Sequence, residues 1–139
     1  MSSLLSPMRR MVLGGSGVLF GVIALLATVA PRIVAGRYAY GLESVDSFNQ
    51  FRAVFVGFWS ALALIMITAA RRPDLRLLGD LCGWALVLQA AGRASSFALD
   101  GLPSATFIGA FALELISGAV VLLAPRALPA ASPQPQVSR

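Results

Sequence analysis

Ser47-Phe48-Asn49-Gln50-Phe51-Arg52-Ala53-Val54-Phe55-Val56-Gly57-Phe58-Trp59 begins polar and turns apolar within a few residues. The apolar segment continues from Phe51 to Ala70, long enough to cross a bilayer as a helix, which takes about 20 residues. Arg52 sits at its mouth. On a helical wheel Asn49, Arg52, Val56 and Trp59 fall within roughly 60° of one another. A fixed cation at the start of a membrane span needs a partner or a water-filled exit. The partners on offer are Glu114 in the last apolar segment, and Gln89 with Arg93 in the one before it. Asn49, Arg52, Gln89, Arg93 and Glu114 therefore form the expected ligand-binding or polar cluster, with Trp59 as a candidate aromatic wall.

Composition fits a membrane protein. The chain has 139 residues, 58% of them hydrophobic and only 12% charged, against about 25% charged in soluble domains. Mean hydropathy is +0.81. The net charge of +5 is the balance of 11 arginines against six acidic residues. They sit mostly at the ends of apolar segments, where orientation signals belong, so nucleic acid is not an expected partner. With no His and one Cys, a His-ligated haem, a Cys/His zinc site and a Ser-His or Cys-His pair all lack their parts. No metal and no cofactor is expected.

The fold class is all-α: an integral membrane four-helix bundle of two antiparallel hairpins. Residues 1–10 are a cytoplasmic lead. The spans are 11–30, 51–70, 77–97 and 105–124, and 125–139, rich in Pro, Ala, Ser and Gln, is a disordered cytoplasmic tail. Arg9 and Arg10 before an apolar run also fit a cleaved signal peptide or a twin-arginine signal. The run is longer than a usual signal core, and Pro31 follows the only cut site, after Ala30. Gly17-x-x-x-Gly21 is a small-residue packing motif that serves contacts within the chain or between copies. Gly36 and Gly41 break helix in the polar connection 31–50, whose Tyr38 and Tyr40 suit the membrane–water interface. Leu42 to Gln50 has room for a short helical turn. Pro73 fits the first turn of the third span, and Ser104 caps the fourth.

Arg9, Arg10, Arg71, Arg72, Arg76, Arg126 and Arg139 lie on one side of these spans, and Arg32 and Arg37 on the other. That bias puts both termini in the cytoplasm.

Tyr40-Gly41, Asn49-x-x-Arg52-Ala53, Gly92-Arg93, Asp100-Gly101-x-Pro103-Ser104 and the glutamate of the last span occur in order. In these landmarks residues 10 to 124 resemble a family of small four-span bacterial membrane proteins known as a domain of unknown function. Val56-Gly57 stands where that family has a glycine pair. The resemblance implies a four-helix membrane bundle in the bacterial inner membrane and supplies no activity. In architecture alone the chain is also similar to four-span sterol- and lipid-handling proteins.

Glu114 lies about 14 Å into its span at 1.5 Å per residue, so it must pair, protonate or line a cavity. It either pairs with Arg52 or Arg93 and fixes helix register, or belongs to an outward-opening cluster that binds an anionic head group or handles a proton. Trp59 packs in the bundle or walls a lipid tail, and Trp84 faces packing or lipid. Asp80 pairs with Arg76 at the rim, and Cys82 is a small core residue. Three functional classes follow. The first is a non-enzymatic protein that binds a lipid-like ligand or a partner membrane protein. The second is a membrane enzyme acting on a lipid or isoprenoid with Glu114 as acid/base. The third is a subunit of an oligomeric transporter, with a second copy of the chain as partner.

Overall fold

The computed structural model describes residues 2–124, with side chains from Pro7 onward; the expected tail, 125–139, lies outside the described residues. Every regular element described is helical: α1 (Ser2–Val29), α2 (Pro31–Arg37), α3 (Val45–Phe51), a π-helical segment (Arg52–Phe58), α4 (Trp59–Arg71), α5 (Arg76–Asp100) and α6 (Ala105–Leu123). Three helices are long and apolar enough to cross a membrane: Pro7–Val29, Val45–Arg71 and Ala105–Leu123. The 25-residue α5 is long enough, but Asp80, Gln89 and Arg93 lower its hydropathy.

Local chemistry sets the boundaries. Pro31 cannot continue α1 and instead starts α2 as its first residue. Gly36 lies within α2 and does not break it. Ala39 at φ 53 ends that helix, with the Tyr40 N–H bonded to the Ala35 carbonyl at 2.9 Å, a left-handed stop. Ser44 and Ser47 cap α3 reciprocally, so the second apolar helix starts at Val45 rather than Phe51. Pro73 stays in the turn before α5, which begins at Arg76. Asp74 there accepts from Arg72 at 2.9 Å, and that bond holds its carboxyl below the usual range. Gly101, at φ 94, releases the chain from α5.

α1 packs along α4 and the π segment, and α5 packs along α6; lighter contacts join α4 to α5 and α1 to α6. Both main pairings are built on glycine. A Cβ at Gly17 would come within 2.8 Å of Ile67 Cγ1 and 3.1 Å of the Ala63 carbonyl. One at Gly118 would meet Val87 Cγ2 at 2.7 Å and the Gly83 carbonyl at 2.9 Å. Helices can approach this closely only where the side chain is absent. The Gly17 face is therefore occupied by α4 of the same chain.

The core between α1 and the second apolar helix is aromatic. Phe51, Phe55 and Trp59 lie buried in line, with Phe51 stacked on Phe55 at 4.6 Å. Trp59 meets Phe20 edge-on at 5.0 Å and Tyr38 at 5.5 Å. Tyr38 is thus drawn inward from the interface position expected for it. Burial raises its phenol pKa, a nearby Arg93 opposes the rise and Glu114 adds to it.

These contacts predict the effect of adding a methyl group to α6. Gly118→Ala is expected to destabilise the detergent-solubilised protein by about 1–3 kcal/mol, since the Gly83 backbone cannot yield. Gly109→Ala, with open space around it, is expected to be neutral or stabilising by about 1 kcal/mol. Thermal unfolding of both variants checks the contrast.

Candidate functional site

Gln89 and Arg93 stand four residues apart on α5, hence on one face, and Glu114 projects toward them from α6. The close approach at Gly83 and Gly118, one turn from Glu114, brings the side chains within reach. Arg93 grips the carboxylate with two bonds, Nε to Oε2 at 2.8 Å and Nη2 to Oε1 at 2.9 Å. Gln89 donates a third, Nε2 to Oε1 at 2.7 Å. A bidentate, charge-assisted pair is the strongest arrangement these groups can make. Glu114 is 9% exposed. The Arg93 guanidinium also lies over the Phe107 ring, 5.8 Å from its centre. A cavity of about 70 Å³ adjoins Glu114, lined by Ser16, Phe20, Leu86, Leu113 and Ser117 among others.

The other two residues of the expected cluster lie elsewhere. Asn49 and Arg52 are exposed, and Arg52 leans over the Phe48 ring at 5.8 Å, as Arg32 does at 5.2 Å. The partner of Glu114 is Arg93, not Arg52. The reason is the π-helical turn. The Trp59 N–H bonds back to the Val54 carbonyl, five residues away, so the segment winds more slowly than an α-helix. A wheel drawn at 100° per residue then misplaces Arg52 relative to Trp59. Trp59 is buried among aromatic rings and forms no wall open to a lipid tail, whereas Trp84 is exposed.

A family model matches residues 8–124, under the description "Domain of unknown function (DUF4345)". The chain belongs to this family. No curated protein matches it, and neither does any solved structure. Membership in DUF4345 brings no activity, so the chemistry must be read from this chain. Among the described residues, no three His, Cys, Asp or Glu side chains gather to hold a metal ion.

One buried charge was not singled out by the sequence reading. Arg9 is 9% exposed. It donates to Asp80 Oδ1 at 2.6 Å, to the Val121 carbonyl at 2.9 Å and to the Arg76 carbonyl at 2.9 Å, fastening α1 to α5 and α6. Asp80, expected to pair with Arg76 alone, is held mainly by Arg9, with Arg76 Nε farther off at 3.7 Å. Gly79 makes room: a Cβ there would collide with the Arg9 guanidinium. The available signal was a glycine beside Asp80 on the side of the chain that carries Arg9.

Replacing the partners of Glu114 one at a time tests the pairing. Glu114→Gln is expected to cost about 1–2 kcal/mol. Arg93→Leu is expected to cost about 3 kcal/mol, because it strands the carboxylate. The double variant should recover at least about 1 kcal/mol, whereas Arg52→Leu with Glu114→Gln should be additive within about 0.5 kcal/mol. Unfolding in detergent measures all of these, and additivity for Arg93 would refute the pairing.

Proposed function

We propose that the chain is a non-enzymatic multi-pass protein of the bacterial inner membrane that works by binding membrane lipid, with the Arg93–Glu114–Gln89 cluster as an internal fastener. The observation that carries this reading is the closure of Glu114. Both carboxylate oxygens are engaged, and the adjoining cavity of about 70 Å³ is far below the roughly 300–1,000 Å³ of ligand pockets. That cavity is too small to hold a lipid or isoprenoid against Glu114 as acid or base. A head group has no free cation to bind there, since the charge of Arg93 is matched by Glu114. Lipid contact then belongs to the outer surface, where Val18, Leu25, Leu64, Leu81, Trp84 and Ile116 are exposed.

The same proposal holds four spans in two antiparallel hairpins, α1 with the second apolar helix and α5 with α6. The two main packings support it, as do the ion pairs that Arg76, Asp80 and Arg93 of α5 make. Arg9, Arg10, Arg71, Arg72 and Arg76 then share the cytoplasmic side with both termini. Retention of α1 is supported by Leu13, Phe20, Ala24 and Ala27, all buried in the core. The Gly17 and Gly21 face is turned toward Ala63 and Ile67 of the same chain, which favours this reading over an oligomeric transporter assembled on that motif.

Two measurements test the reading. A cytoplasm-only reporter fused after Arg139 is expected to be active and a periplasm-only reporter silent. Native mass spectrometry of protein extracted from membranes is expected to show bound lipid, equally in the wild type and Glu114→Gln. Recovery in the soluble fraction, or a lipid turned over only while Glu114 is intact, would overturn it.

A further inference from the structure

The groove between α1 and α4 is ordered along its length. Arg10 and Arg71 stand toward one end, Gly14 and Ala70 follow, and Val18 and Ile67 lie farther along the two helices. Val18 is eight residues beyond Arg10, about 12 Å farther along the helix. The groove is open along one side and has a volume of about 500 Å³, within the range of small-ligand sites. It is wide because Gly14 has no side chain to fill it; a Cβ there would still lie 3.8 Å from Ala70.

The charge at its mouth is uncompensated. The ion pairs among the described residues use Arg9, Arg72, Arg76 and Arg93; no described carboxylate pairs with Arg10 or Arg71. Arg10 is exposed, and its one described bond runs from Nε to the Ala70 carbonyl at 3.0 Å. Asp74 pairs with Arg72 and Asp80 with Arg9. The last carbonyls of α4 place about half a negative charge nearby, against two full positive charges.

Two guanidinium groups above an apolar slot match an anion joined to a hydrocarbon chain, with the anion at the membrane surface and the chain running inward. We propose that this groove is a binding site for an anionic glycerophospholipid, its phosphate held by Arg10 and Arg71 and one acyl chain lying over Gly14, Val18 and Ile67. The proposal rests on the lipid-binding reading above and gives it a place and a lipid class. The charge left over for an anion is thus at the rim of the α1–α4 pair, not at Glu114.

Native mass spectrometry of the full chain, delipidated in detergent and titrated with phosphatidylglycerol or phosphatidylcholine, tests it. The wild type is expected to retain one phosphatidylglycerol with a preference of about thirtyfold, from about 1 kcal/mol for each of the two arginines. Arg71→Gln, which disturbs no described hydrogen bond, should lose much of that preference, and Arg10→Gln/Arg71→Gln should abolish it. Gly14→Leu should block the slot and reduce retention of phosphatidylglycerol with both arginines intact. Equal retention of the two lipids by the wild type, or undiminished preference in the double variant, would overturn the site. So would displacement of the lipid by millimolar inorganic phosphate, which would mark a free-anion site. A chain that stays membrane-embedded and keeps other lipids while failing these tests loses only the groove. A chain that binds no lipid at all loses the broader reading as well.

Discussion

A carboxylate in apolar surroundings has to be neutralised where it stands, and the α5–α6 pair is arranged around that requirement. Glu114 lies near the middle of α6 and is 9% exposed. Its charge is met by a bidentate arginine and an amide from the facing helix. That geometry is available only because the helices touch backbone to backbone at Gly83 and Gly118. The same rule operates at the other end of α5, where Arg9 crosses from α1 to Asp80 over a glycine. Two charge clusters thus fix α5 near both its ends, and this helix is the one whose own hydropathy is too low to mark it as a span. An apolar solvent penalises a mismatch at either cluster by stranding a charge, which makes register and orientation specific where hydrophobicity alone would not.

The other pair is held differently. α1 and α4 meet through Gly17, Gly21 and Ala63, and the aromatic row Phe51, Phe55 and Trp59 is closed from above by Tyr38 and from the side by Phe20. No ion pair joins α1 to α4 among the described residues. The π turn belongs to this arrangement, because slower winding keeps three aromatic residues facing α1 while it turns Arg52 outward. Apart from Arg9, the arginines of this pair make no ion pair with another helix among the described residues. Arg32 and Arg52 lean over Phe48, and Arg10 and Arg71 stand over the groove. The proposed function follows from this division: the buried charges are internal fasteners, and the exposed ones meet the membrane.

The sequence by itself determined that the chain is helical and apolar enough to enter a membrane. Those properties come from composition and from runs of some 20 residues, which need no knowledge of neighbours. It also marked Gln89, Arg93 and Glu114, because a polar residue within an apolar run is conspicuous wherever it lies. It could not choose between Arg52 and Arg93 as the partner of Glu114, since a wheel assumes uniform winding and the π turn breaks that assumption. It gave Arg9 the role of an orientation signal. Whether an arginine near a helix end faces water or crosses to another helix depends on a gap in that helix, and the gap is Gly79. Tyr38 shows the same limit, since an interfacial tyrosine and a core tyrosine have identical local sequence. Which surfaces touch was decided by tertiary structure alone, because helices approach wherever two chains of small residues happen to align, and that alignment is set by the whole packing.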